Sequence, residues 1–84
     1  MSDLTLMINI GKEMERKLNS VGIYSSAELS YLGSKEAYFR LKMKYPNVCA
    51  VHLYVLEGAI SDTKYNELPD NVQSKLKDFA DSLK

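Results

Sequence analysis

The chain has 84 residues, 45% of them apolar and 26% charged, with eleven basic side chains against eleven acidic ones. That is enough for one hydrophobic core and too little for two, so a single domain over residues 1–84 is expected, and the composition excludes a disordered chain. Zero net charge also excludes a domain that holds nucleic acid by bulk electrostatics alone.

In chain order, the residues from Asp3 to Ile10 place Leu4, Met7 and Ile8 for one helical turn against the core, with Asp3 near its start. Asn9-Ile10-Gly11 ends that turn. From Lys12, the spacing of Met14, Leu18 and Val21 predicts an amphipathic helix with Glu13 and Lys17 paired at i,i+4. Gly22 is its left-handed cap and Ile23 the accompanying hydrophobic contact. Ser25 or Ser26 then caps a short helix with Glu28 in its first turn, ending at Gly33. Ser34 caps the next, whose Ala37, Tyr38, Leu41 and Tyr45 form one side, widened by Phe39 and Met43, until Pro46 stops it.

Asn47 is the expected cap of a fourth helix, Val48 to about Ile60, apolar on every face and therefore central. Val48, Val51, Tyr54 and Val55 also favour strand, but no second strand is available to pair with them. Its apolar run, broken by His52 and followed by Glu57, is far shorter than the roughly 18 residues of a membrane span. Ser61 to Leu68 reads as a polar connection. Pro69 and Asp70 begin a last helix that buries Val72, Leu76, Phe79, Ala80 and Leu83. The expected architecture is all-α, about five short helices with helix-hairpin-helix-like turns.

Candidate chemistry is sparse. Cys49 has no cysteine partner, which excludes a disulfide framework, and the N-terminal residues show no basic leader. A reducing, cytoplasmic setting is expected. His52 and Glu57, five apart, share no helix face, and no nucleophile or set of three metal ligands accompanies them. Glu57 is expected to reach solvent or pair with a cation such as Arg40. No catalytic residue, metal, cofactor or small-molecule substrate is expected, and the chain is not read as an enzyme.

Gly11 opens a helix, where unsatisfied N–H groups and the dipole favour an anion, and Lys12 and Arg16 stand one turn apart to address neighbouring phosphates. Gly33-Ser34-Lys35 repeats the arrangement. Gly11, Lys12, Arg16 and Lys35 are thus the candidate nucleic-acid contacts. Against them, Gly11 serves equally as a turn and Arg16 as the partner of an acid. Residues 1–44 hold seven basic against five acidic side chains and the remainder four against six, an imbalance that mixed solvated faces also produce. Tyr24, Tyr31, Tyr38 and Tyr45 lie seven apart, but Gly22 and Gly33 interrupt any heptad seam, so the six tyrosines are read mostly as core edge.

The run Asn9-Ile10-Gly11-Lys12, Leu18-Asn19-Ser20-Val21-Gly22-Ile23-Tyr24-Ser25, Leu29 and Leu32-Gly33 resembles helix-hairpin-helix modules. Extended by Ala37-Tyr38, Leu41-Lys42, Leu53-Tyr54, Leu56-Glu57-Gly58-Ala59-Ile60 and Leu68-Pro69, it resembles the C-terminal domain of the TfoX/Sxy competence regulators. The resemblance departs at Tyr65, where many relatives carry tryptophan. It implies a helical, non-enzymatic module associated with regulation of DNA-uptake genes, acting through a protein partner, self-association or auxiliary DNA contacts. Direct, sequence-independent DNA binding is the alternative.

Overall fold

The computed structural model describes residues 3–83; Met1, Ser2 and Lys84 lie outside the described residues. Its helices are α1 (Lys12–Ser20), α2 (Ser26–Leu32), α3 (Ser34–Lys44), α4 (Ala50–Ser61) and α5 (Asp70–Ser82), with 3-10 turns at Leu4–Leu6 and Tyr65–Glu67. No strand occurs among the described residues, and the all-α reading stands.

The hairpin joining α1 to α2 follows from local chemistry. Gly22 takes φ +87°, a conformation that side chains with a Cβ resist. Its N–H bonds the Asn19 carbonyl at 3.1 Å, and the Ile23 N–H reaches the Leu18 carbonyl at 3.0 Å. These two bonds satisfy carbonyls that the helix end leaves open, while Leu18 and Ile23, both fully buried, make the hydrophobic contact. The Ser25 hydroxyl then accepts from Glu28 N–H at 3.1 Å, capping α2.

Asp3 does not cap its own turn. Its carboxylate instead accepts from Ser26 N–H at 2.7 Å and from the Ser26 hydroxyl at 2.6 Å, lending a second cap to α2. Gly33, also at φ +87°, ends α2 and starts α3 as a one-residue joint. Ser34 is therefore not the cap of α3 but its first residue, buried, with its hydroxyl donating to Glu57 Oε1 at 2.7 Å. The expected Glu57–Arg40 pairing gives way to this bond. Arg40 binds Glu36 at 3.0 Å and donates to the Val21 carbonyl at 3.3 Å, tying α3 to the hairpin.

On α3 the buried side is Ala37, Tyr38 and Leu41, whereas Phe39 and Met43 are exposed and do not widen it. Helix α4 begins at Ala50, three residues after the expected Asn47 cap, with Cys49 in the cap position. The Lys42 ammonium explains the delay: it donates to the carbonyls of Pro46 at 2.7 Å and Val48 at 2.8 Å, holding that segment as a loop. The central position expected of α4 is observed. It packs against α2, α3, α5 and the Tyr65–Glu67 turn, with Leu53 and Leu56 fully buried. That turn lies within the polar connection expected from Ser61 to Leu68. Leu4, Leu18, Ile23, Leu29, Tyr38 and Leu41 are the other large side chains buried to this degree, and each aliphatic one contributes about 1.5–3 kcal/mol of burial.

Candidate functional site

The four predicted contacts are not one cluster. Gly11 caps α1 with ordinary extended angles, φ −97° and ψ −177°, and a Cβ placed there would meet nothing within 4 Å. Neither backbone strain nor packing demands glycine, so the space before α1 is open. Lys12 is exposed beside it. Arg16, one turn on, is bound to Glu13, whose carboxyl its guanidinium holds below the ordinary range, and Glu15 adds a further acid to the same turn. Lys35 is engaged elsewhere, its ammonium 5.5 Å from the centre of the Phe79 ring of α5.

Other cations brace the fold. Lys17 and Lys44 lie over the Tyr45 ring at 5.5 and 5.9 Å, and Lys44 also donates to the Ser20 carbonyl at 3.3 Å. Together with the Ser20–Tyr45 hydroxyl contact of 2.8 Å, they tie the end of α1 to the end of α3.

A second surface appears where the sequence suggested none. Gly22, Ala27, Glu28, Tyr31, Leu32 and Arg40 line a shallow groove of about 350 Å³ on the hairpin. Tyr31 is 90% exposed and Tyr24 58%, so these rings are not core edge; Tyr38 alone among the tyrosines is fully inside, at 1%. Tyr31 projects from a two-turn helix whose inward side is carried by Leu29.

His52 has a partner that spacing did not suggest. Its Nδ1 accepts from the Cys49 N–H at 3.2 Å and lies 3.7 Å from Cys49 Sγ. Burial, and then the nearby Lys17 charge, hold His52 below its ordinary pKa, so the ring is neutral as it caps α4. Glu57 takes no part in this contact. Among the described residues no group of three or more His, Cys, Asp or Glu is placed to hold a metal ion, and no helix is long and apolar enough to cross a membrane.

The sequence pattern of the TfoX C-terminal domain matches residues 1–80. The chain belongs to that family. The TfoX C-terminal fold seen here is similar to two solved structures from Listeria monocytogenes. One, an uncharacterized protein in a triclinic crystal, is 39% identical with a TM-score of 0.92, the match covering 95% of this chain and 91% of that one. The other, a protein of unknown function in a tetragonal crystal, is 38% identical with a TM-score of 0.93, covering 96% and 99%. No curated protein matches.

Several residues that carry the TfoX resemblance prove to hold the domain together. Asn9, at φ +74°, donates from Nδ2 to the Thr63 carbonyl at 3.0 Å and accepts the Tyr65 N–H at 3.4 Å. It thereby pins the N-terminal segment to the connection after α4. Gly58 lies beneath this contact: a Cβ there would press on the Thr63 carbonyl oxygen and stand 2.5 Å from Asn9 Nδ2. Asn9 is thus a brace, a role invisible in the local Asn-Ile-Gly pattern.

Proposed function

We propose that this TfoX C-terminal domain is a non-enzymatic regulatory module of the cytoplasm that recognises a protein partner through the hairpin groove. The observation that carries the reading is the exposure of Tyr31 at 90%, beside Arg40 and the apolar floor of Ala27 and Leu32. Tyrosine and arginine are enriched among interface hot spots because a large ring gains much contact for few frozen torsions and a planar guanidinium presents a pre-organised fork of donors. Regulation of DNA-uptake genes is the process the family suggests. In contrast, Lys17, Lys42 and Lys44 are engaged in holding Tyr45 and the carbonyls of Pro46 and Val48.

The test is a photo-crosslinking side chain at position 31 in the intact protein, in cells. One dominant adduct that disappears with Ala27→Asp supports the proposal. Labelling no different from that at an exposed control position, Asp70, refutes it. Sedimentation at rising concentration identifies a second copy of the chain as the partner if the adduct is a homodimer.

Open space at Gly11 favours a second reading, in which Gly11, Lys12 and Arg16 contact DNA phosphates without Lys35. Two or three phosphate contacts imply a log–log salt slope of roughly −2 to −3. Anisotropy with a labelled duplex measures it. Joint Lys12→Glu and Arg16→Glu replacement should abolish binding, and unchanged affinity would remove this surface from consideration.

A further inference from the structure

Between the end of α3, the loop before α4 and the end of α5 lies a cleft of about 360 Å³, within the range of small-molecule sites. It shares no lining residue with the Tyr31 groove. Tyr38 lines it, 1% exposed, and no described residue hydrogen-bonds its hydroxyl. Among the described residues Asn19 Oδ1 is the buried side-chain atom that lacks both a partner and contact with solvent. The Tyr38 hydroxyl, unpartnered but not sealed, therefore opens on the cleft. Burial first, then Cys49 and Asp81, raise it above its ordinary pKa, so it remains a donor at neutral pH.

The opposite wall begins α4. Its first turn contains no acidic side chain, and no described group accepts the N–H of Ala50, which lines the cleft. The Ala50 N–H and the twelve-residue dipole make the wall electropositive. Lys42 and Lys77 add two cations to the lining against one acid, Asp81. Lys42 is held on the Pro46 and Val48 carbonyls, where it builds the wall; Lys77 is exposed on α5. The Tyr54 ring supplies an apolar side.

We infer that this cleft binds a small aromatic or apolar anion, its carboxylate or phosphate placed between the Tyr38 hydroxyl, Lys77 and the first turn of α4, with its body against Tyr54. The ligand is bound, not transformed. A hydroxyl that opens on the cleft with no protein partner is available to donate to a bound group, and an anionic acceptor is the one the surrounding donors and charges suit.

The full-length protein, labelled with 15N, is titrated with phenyl phosphate, benzoate and, as a cationic control, benzylamine, following amide shifts. Saturable shifts at Ala50, Tyr54 and Lys77 with the anions alone are expected, phosphate or carboxylate preference distinguishing the two head groups. Tyr38→Phe should weaken binding about tenfold with the melting temperature unchanged or raised, because the hydroxyl has no protein partner to lose. Lys77→Ala should weaken binding and Asp81→Asn strengthen it. No saturation by about 20 mM, far above a millimolar Kd, overturns the inference. So do equal shifts with benzylamine, an affinity indifferent to Lys77 and Asp81, or a Tyr38→Phe variant that loses stability while binding unchanged.

Discussion

Gly58→Ala is the sharpest test of how the domain is held. The added methyl would press on the Thr63 carbonyl oxygen, stand 2.5 Å from Asn9 Nδ2 and 3.4 Å from Tyr65 Cα. Asn9 can swing away, but the Thr63 carbonyl belongs to backbone already fixed by the Thr63 N–H bond to the Gly58 carbonyl at 2.8 Å. Overpacking of this kind costs about 1–3 kcal/mol, and displacement of the 3.0 Å Asn9–Thr63 bond about 1 kcal/mol more. Alanine returns about 1 kcal/mol through its better helix propensity. The net loss is about 1–3 kcal/mol, which for a domain of this size lowers the melting temperature by roughly 5–20 °C. Thermal melts followed by circular dichroism measure it. An unchanged or raised melting temperature would refute the argument, since propensity alone would then govern the site. Gly11→Ala, where a Cβ meets nothing, is the matched control and should lower the melting temperature by much less.

Ser34→Ala removes the hydroxyl that donates to the part-buried Glu57 and should cost about 1–3 kcal/mol in urea denaturation. Glu57→Gln, which keeps an acceptor, should cost less. Gly22→Ala forces a Cβ into φ +87° and should cost about 1–2 kcal/mol; a stabilising effect would contradict the hairpin geometry. The Ser26 hydroxyl and N–H hold the Asp3 carboxyl below its ordinary value of 3.8, so the folded state resists its protonation. Its contribution is complete above pH 3.8 and disappears as pH falls through the lower folded value, a dependence that Asp3→Asn should remove from the acid limb of the stability curve.

What the sequence made legible was whatever lies within one turn of its cause. Gly22 with Ile23, Ser25 with Glu28, and Pro69 before α5 each carry their signal in adjacent positions. The contacts that escaped are those whose partners are remote: Asp3 and Ser34 find theirs 23 residues away, and Asn9 finds Thr63 across 54. No local spacing announces such pairs. The start of α4 was misplaced for a related reason, since Asn47 is a good cap in isolation but Lys42 holds the loop around it. The tyrosines show a different limit. Composition says that six aromatic rings with hydroxyls exist, but only the packing of α2 and α3 decides that Tyr38 is enclosed and Tyr31 bare. Of the candidate contacts, Gly11, Lys12 and Arg16 do share one helix start, whereas Lys35 serves Phe79.

The double attachment of the N-terminal segment bears on how the chain is made. Asp3 fastens to Ser26, but Asn9 must wait for Thr63 and Tyr65. On a ribosome residues 3–10 emerge before these partners, and Asn9 lacks both of its own until residues 63 and 65 have followed. Closure of this strap thus waits for the connection after α4 to be made, and a chain stalled before residue 63 leaves Asn9 without its brace.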